Sequence, residues 1–333
     1  MADSAAAENS AGNVEPAGTT EHPGGGADTG GDDDRERPGE ARERPGEARE
    51  RAGEASDAAL ADGHDAGQTD RRIDGLPVVA RVHDFLLGGH DHYPADRAAG
   101  EAIIASAPWA SQNIRVSRNF LRRAVHLLAT ERGVRQFLDL GAGLPTVGNT
   151  HEVAQHAAPD ARVVYVDRDP VVVAQARSLL TGGPEGQTTY LAADVRDPAD
   201  ILTHAADVLD LRQPVGLVLV GIMHCLHHAD GPFAVARALS DAVPADSYLV
   251  LSHLGVSDEL RKAGGGGTKP DTAGYSRPDI SMLESFYPRP LDEIKRFFYG
   301  WELLDPGITL APHWRADDPE PTALWAAVAR KPA

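Results

Sequence analysis

Short apolar runs rich in β-branched residues alternate with amphipathic helical stretches through the middle of this sequence. The apolar runs, each predicted to form a strand, cover residues 135–140, 162–167, 188–194, 214–223 and 247–252. A helical stretch separates each strand from the next, and repeated alternation of this kind requires a parallel sheet with right-handed crossovers. Two further strands, 301–304 and 323–329, have no helix between them and are therefore predicted to be antiparallel. We predict an α/β fold with a doubly wound, mostly parallel sheet and an antiparallel last strand.

The first 70 residues have the composition of a disordered segment. They contain no Ile, Phe, Trp, Tyr or Cys and a single Leu, so they cannot bury enough apolar surface to offset their chain entropy. They hold 18 Asp plus Glu against 6 Arg, a net charge of −12 out of −18 for the whole chain. The repeat RERPGEA occupies 35–41 and 42–48, and RERAGEA follows it at 49–55. We interpret residues 1–70 as a disordered acidic tail with a charged spacer, and 71–333 as the folded domain.

Charge, cysteine content and hydropathy exclude several classes of partner. Outside the tail the net charge is −6, which leaves no unopposed cluster of Lys and Arg for nucleic acid. The single cysteine, Cys225, excludes an internal disulfide and fits a reducing compartment. The longest apolar run, 214–223, is far shorter than the about 20 residues that cross a bilayer, and the N-terminus lacks a secretion signal. We expect a cytoplasmic protein that binds neither nucleic acid nor membranes.

Acidic residues follow three neighbouring strands at the edge where a doubly wound sheet binds its ligands. The first strand leads through Asp139 into a turn with Gly141 and Gly143, which lets the backbone approach a ligand closely. The second strand ends on Asp167, whose carboxylate can accept hydrogen bonds from two ribose hydroxyls. The third ends on Asp194, which can accept from an adenine amino group. Together these residues predict a pocket for adenosine joined to an amino acid.

The glycine turn departs from the fingerprint of dinucleotide-binding proteins. Its third glycine is replaced by Thr146, and Pro145 removes a backbone N–H that a pyrophosphate would use. A nucleoside ligand without phosphates therefore fits better than a dinucleotide. An NAD-dependent oxidoreductase remains the less favoured alternative.

Several longer strings carry a resemblance to a known family. They are ARVHDFLLGGHDHY at 80–93, RQFLDLGAGLPT at 135–146, NTHEVAQ at 149–155, VVYVDRDPVV at 163–172, and the later Pro306-Gly307 and Trp314-Arg315. Over about residues 72–330 the chain resembles the actinobacterial S-adenosyl methyltransferase family, once catalogued as a domain of unknown function. That family belongs to the class I methyltransferases, which are Rossmann-like and use S-adenosylmethionine (SAM). One departure is His90-Asp91-His92, where the family usually has Lys-Asp-Asn.

The resemblance implies a SAM-binding site at the strand ends already described. Gly141 and Gly143 would approach the methionine part, with Asp139 supporting its ammonium group. Asp167 would hold the ribose. Asp194 with Val195 would frame the adenine.

The segment 81–93 would cover this pocket as an N-terminal helical cap. The residues that would face the cofactor or the methyl acceptor are Arg81, Asp84, His90, Asp91 and Tyr93. The simpler alternative is an amphipathic helix that ends at the Gly88-Gly89 pair. That alternative leaves the polar cluster after the glycines unexplained.

Histidines and one cysteine follow the fourth strand. His224, His227 and His228 with Cys225 match no strong zinc spacing, so we expect no metal. His224 should face the methyl acceptor, where it would act as a general base or only line the pocket.

The predicted function is methyl transfer from SAM to an unidentified small-molecule acceptor. The loop 254–290 is long enough to be a lid or acceptor-recognition element, with a disordered insertion as the equal alternative. A protein that binds SAM or its demethylated product, S-adenosylhomocysteine (SAH), without catalysis is the rival from another class. In that case the acidic tail would contact a partner.

Overall fold

The computed structural model describes residues 77–146, 148–180, 186–256, 286–316, 320 and 322–333, except for the side chain of Ser106. The predicted acidic tail, 1–70, lies outside the described residues, as does 257–285, which is most of the predicted 254–290 loop. Within the described ranges no helix combines the length and apolarity needed to cross a bilayer.

Eight strands occur in the described residues. They are β1 (Gln136–Leu140), β2 (Arg162–Asp167), β3 (Gln187–Ala192), β4 (Gly216–Val220), β5 (Tyr248–Leu254), β6 (Glu302–Leu303), β7 (Thr309–Leu310) and β8 (Leu324–Arg330).

Eight α-helices accompany them in the same part of the chain. They are α1 (Val79–Leu86), α2 (Pro94–Ser106), α3 (Ala110–Glu131), α4 (Thr150–Ala157), α5 (Pro170–Leu179), α6 (Pro198–Ala205), α7 (Pro232–Asp241) and α8 (Leu291–Lys295). Short 3-10 turns follow β4 and α8, at Met223–Cys225 and Arg296–Phe298.

The strands form one sheet in the order β3-β2-β1-β4-β5-β8-β6, with β7 paired to β8. Strands β1 to β5 are parallel, whereas β8 runs antiparallel to β5, β6 and β7. The reversal of strand order between β1 and β4 opens the crevice in which doubly wound sheets bind ligands. The predicted α/β class, parallel core, antiparallel end and helical N-terminal cap are confirmed.

The predicted strand 214–223 is the main difference from expectation. The strand stops at Val220 because Gly221 has a φ of +76°, which turns the backbone out of the sheet. The apolar residues that follow enter a 3-10 turn, where Met223 is completely buried. The apolar residues after Val220 are therefore apolar because they are buried, although they are not part of the strand.

Hydrophobic cores cover both faces of the sheet, as a parallel sheet requires. Adjacent residues of β1 enter opposite cores, because side chains alternate along a strand. Phe137 packs with Phe120 of α3 and with Trp314. Leu138 packs with residues of α6 and α7, including Ile201. Full burial of one such side chain stabilises the fold by roughly 1.5–3 kcal/mol.

Candidate functional site

A tight turn of glycines follows β1. Gly141 has a φ of +72°, and a Cβ atom added there would lie 2.5 Å from the Cδ1 atom of Ile222. Gly143 has a φ of +64°, and its added Cβ would lie 3.6 Å from the Cβ atom of Ala80 on α1. The turn therefore needs glycine for its backbone conformation, and at Gly141 also for space. The cap helix α1 lies directly against it.

Asp167, at the end of β2, is fixed in place by the glycine turn. Its Oδ2 accepts a hydrogen bond from the backbone N–H of Gly143 at 2.9 Å, and its Oδ1 accepts from the N–H of Asp169 at 3.0 Å. The carboxylate is only partly buried. An ionised carboxylate can accept about four hydrogen bonds.

Asp139 lies deeper, below the turn. Its side chain is buried, and its Oδ2 accepts from the hydroxyl of Thr150 at 2.6 Å. Burial raises the pKa of Asp139 to about 6, although the Thr150 hydrogen bond and the positive charge of Arg118 oppose that rise. A cation bound nearby would favour the ionised form. The site is thus suited to an ammonium group.

Arg118 is a site residue that the sequence analysis missed. It reaches from α3 to the end of the glycine turn, where its guanidinium donates to the hydroxyl of Thr146 and, at 3.3 Å, to Oδ1 of Asn149. A signal was present, because Arg118 falls on the helical stripe that carries Ile114 and Leu121. A charged residue at such a position needs a polar partner.

Two stacked tyrosines support the turn from below. The rings of Tyr165 and Tyr190 lie 4.6 Å apart, and the Tyr190 hydroxyl donates to the carbonyl of Gly143 at 3.1 Å. The Tyr165 hydroxyl accepts from the backbone N–H of His151 at 2.8 Å. Burial raises the pKa of both tyrosines, so both stay neutral and keep a proton to donate.

Asp194, after β3, is already engaged by a neighbour. Its carboxylate accepts from the Arg196 guanidinium at 2.5 Å and from the Arg196 backbone N–H at 2.9 Å. The hydrogen bond from Arg196 lowers the pKa of Asp194. Val195 is buried beside it. An adenine amino group at this position would share the carboxylate with Arg196.

The predicted pocket residues of the cap fall into two groups. Arg81 and Asp84 are buried, and each has a nearby partner: Arg81 pairs with Asp96 of α2, and Asp84 accepts from Nδ1 of His92 at 2.9 Å. Asp84 also accepts from the backbone N–H of Asp91 at 2.8 Å.

The second group is more accessible. His90 is exposed, Asp91 is partly buried, and Tyr93 is 42% exposed with its ring below the Arg81 guanidinium. The carbonyl of Asp91 accepts from Gln175 on α5 at 3.3 Å, which joins the cap to α5. Arg81 and Asp84, each with its own buried partner, therefore hold this part of the chain together, whereas His90, Asp91 and Tyr93 lie closer to solvent.

His224 lies after β4, in the 3-10 turn. Its Nδ1 accepts from the backbone N–H of Leu254 at 3.3 Å, and its ring centre lies 5.5 Å from those of His253 and Phe286. Burial, together with smaller effects of His83 and Arg289, lowers the pKa of His224 to about 3. His224 is therefore neutral at pH 7.

The described residues on either side of 257–285 are hydrogen-bonded near this histidine: the N–H of Tyr287 donates to the carbonyl of His224 at 2.7 Å, and that of Val256 to the carbonyl of Arg289 at 3.2 Å. The guanidinium of Arg289 donates to the carbonyls of Met223 and Leu226 at 3.0 and 2.8 Å. It also donates to Nε2 of His253 at 2.8 Å.

Among the described residues, no three His, Cys, Asp or Glu side chains come together in a way that could hold a metal ion.

The sheet order and the glycine turn after β1 are typical of the Rossmann-like class I methyltransferases. Residues 66–332 match the family model described as S-adenosyl methyltransferase, and the chain belongs to that family. The protein is accordingly a SAM-dependent methyltransferase, and the predicted family, enzyme class and cofactor are confirmed.

Two solved structures are similar over most of their length. A DUF574 family protein from Streptomyces avermitilis is 38% identical, with a TM-score of 0.69, and the match covers 77% of this chain and 98% of that one. A Thermobifida fusca protein provisionally assigned as a methyltransferase is 37% identical, with a TM-score of 0.67 and coverage of 78% and 96%. No curated protein matches the chain.

Proposed function

We propose that this methyltransferase acts on a small-molecule acceptor bound between the cap helix α1 and the loop after β4. The observation that carries the proposal is the contact of Ala80 with the glycine turn, where an added Cβ on Gly143 would be 3.6 Å away. A cap this close to the turn favours an enclosed pocket, and enclosed pockets suit small ligands better than macromolecular substrates.

The residues present fit SAM. Asp167 would accept from the ribose hydroxyls, in the orientation that Gly143 and Asp169 give it. Asp139 would balance the ammonium group, and Arg118 would lie near the carboxylate of the same methionine part. Asp194 and Val195 would frame the adenine, with Arg196 sharing the Asp194 carboxylate.

The bound cofactor supplies a methyl group on a positively charged sulfur, which an acceptor attacks in line. The protein residues then have three tasks: to bind both molecules, to align them and to exclude water. The cap and the loop after β4 exclude water from the space where the two molecules react. No covalent nucleophile on the protein is needed.

Calorimetric titration with SAM and SAH tests the cofactor site. Asp160→Ala serves as a control, because that aspartate is 70% exposed and precedes β2, at the opposite end of the strand from Asp167. A panel of phenols, alcohols, amines and carboxylic acids, incubated with deuterated-methyl SAM, then tests transfer. We expect a mass gain on at least one compound. SAM binding without transfer to any compound would instead favour a non-catalytic SAM-binding protein.

A further inference from the structure

His83 lies on the face of α1 that covers the glycine turn. It is three residues after Ala80, and residues three apart in a helix lie on the same face about one turn along. Ala80 is the α1 residue closest to an added Cβ on Gly143. The positive charge of Arg118 acts on His83, and a protonated His83 would act on His224, so the three side chains are near one another. His83 therefore lies beside the glycine turn and near His224, where donor and acceptor would meet.

The ring of His83 is available for proton transfer. It is only partly buried, and within the described part of the chain neither ring nitrogen makes a hydrogen bond. Burial, together with a smaller effect of the nearby charge of Arg118, lowers the pKa of His83 to about 4. One ring nitrogen of the neutral imidazole therefore carries an unshared lone pair at pH 7.

The ring of His224 is not available in the same way. The backbone N–H of Leu254 must donate, so Nδ1 of His224 is the acceptor and the ring proton is on Nε2. The only lone pair of the neutral ring is already used. His224 can donate a hydrogen bond from Nε2, but it can accept a proton only by breaking its bond with Leu254.

His253 is excluded by the same reasoning. Its Nδ1 faces the carbonyl of Leu254 at 2.8 Å and must donate to it. Its Nε2 accepts from the Arg289 guanidinium at 2.8 Å. The ring is fully buried, and both of its nitrogens already make hydrogen bonds.

We propose that His83, on the cap helix, accepts the proton of the methyl acceptor, and that His224 orients the acceptor as a hydrogen-bond donor. This inference rests on the proposed small-molecule function. An oxygen lone pair of the acceptor forms the new bond to the methyl carbon while the carbon–sulfur bond breaks and leaves its electron pair on sulfur. The acceptor proton passes to the lone pair of His83 and then to water.

Acylation with diethyl pyrocarbonate tests the proposal without any acceptor, because the reagent attacks an imidazole nitrogen with an accessible lone pair. His90 and His156 are exposed and serve as positive references, and His253 is the buried negative reference. We expect labelling of His83 but not of His224 in the folded protein, and loss of the His83 label with saturating SAH. Labelling of His224 at the rate of the exposed references, or unlabelled His83, would overturn the proposal.

Nitrogen-15 spectra of histidine-labelled protein give a second readout. The His224 signal, identified with the His224→Gln variant, should show a proton on Nε2 and no titration between pH 5 and 8. A proton on Nδ1 of His224 would contradict the proposed division of roles. If the parent protein does not bind SAM, the proposed function is wrong. This outcome is distinct from a wrong assignment of the base, which the histidine spectra would show.

Kinetics complete the test once the panel identifies an acceptor. His83→Gln should lower kcat by about 10²-fold or more, since general bases contribute on that scale. His224→Gln keeps an oxygen that can accept from Leu254, so it should mainly raise KM for the acceptor, and kcat should fall by less than about tenfold. The reverse pattern would identify His224 as the base.

Discussion

Arg81 of α1 and Asp96 of α2 form an ion pair that is almost completely withdrawn from water. The Nε and Oδ2 atoms lie 2.8 Å apart, and the side chains are 1% and 0% exposed. Asp96 also accepts from the backbone N–H groups of Val78 and Tyr93, at 2.7 and 2.9 Å. One carboxylate thus joins the start of α1 to the start of α2, and the cap depends on it.

Arg81→Met should destabilise the protein by about 3–5 kcal/mol, because it leaves the Asp96 carboxylate buried without its cation. Urea unfolding measures the change. Arg237→Met is the matched control: its partner Asp241 is 60% exposed, so the expected loss is below about 1 kcal/mol. The double variant Arg81→Met/Asp96→Asn should recover part of the loss. Equal effects of Arg81→Met and the control would contradict this account of the cap.

Asp167→Ala should weaken SAM binding by roughly 1–3 kcal/mol, the cost of losing charge-assisted hydrogen bonds in a partly buried site. Calorimetric titration measures this affinity, and SAH should show the same loss because the ribose is common to both. Unchanged affinity of the variant for SAH would remove the ribose assignment of Asp167.

SAM affinity should rise with pH through about 6, where Asp139 ionises in the folded protein. Below that pH the binding of the ammonium group must displace a proton, and affinity changes by up to about tenfold per pH unit. Titration in two buffers of different ionisation enthalpy should detect proton release near pH 6. Asp139→Asn should remove both the proton release and the pH dependence, and persistence of either in the variant would exclude Asp139 as their source.

Stability should fall as the pH drops below about 6.5. The pKa of His224 is lowered to about 3 and that of His253 lies well below 6.5, so the unfolded chain binds protons that the folded protein does not. Asp139 has the opposite sign: its raised pKa favours the folded state as pH falls from 6 towards 4. Urea midpoints between pH 4.5 and 7.5 measure the balance. His224→Gln should flatten the profile, and an unchanged slope would show that His224 protonates readily in the fold.

Arg289→Lys should cost about 2 kcal/mol or more, although the charge is conserved. The guanidinium bonds two carbonyls and His253 at once, whereas an ammonium group cannot match that fixed planar arrangement. Arg212→Lys, 88% exposed, is the control and should stay within about 0.5 kcal/mol. Equal unfolding midpoints for the two variants would show that Arg289 does not fasten the loop ends.

The strands that lead to the proposed cofactor residues could be predicted because each is a compact apolar run followed by a glycine or an acidic residue. The glycine turn and the carboxylate of Asp167 follow from that local pattern, and the fold brings the N–H of Gly143 to 2.9 Å from the Asp167 carboxylate. β7 could not be predicted, because its two residues, Thr309–Leu310, carry no periodicity.

The contacts that distinguish one histidine from another were beyond the sequence. Whether His224 can act as a base depends on the backbone of Leu254, 30 positions away. The role of Arg289 depends on Met223, 66 positions away. Residue type and spacing identify candidates, but the direction of each hydrogen bond appears only when distant segments are brought together.

The position of β8 dictates an order of assembly during synthesis. β8 lies between β5 and β6 in the sheet but comes last in the sequence. The ribosome therefore synthesises β6 and β7 before β8, the strand with which both of them pair. Until residues 324–330 emerge, nascent β5 presents an open edge of Tyr248–Leu254, which is entirely buried in the finished sheet. Such an edge is a template for pairing with other chains. A translation arrest before Leu324 would therefore yield an aggregation-prone intermediate, and chaperone engagement would be most valuable in that interval.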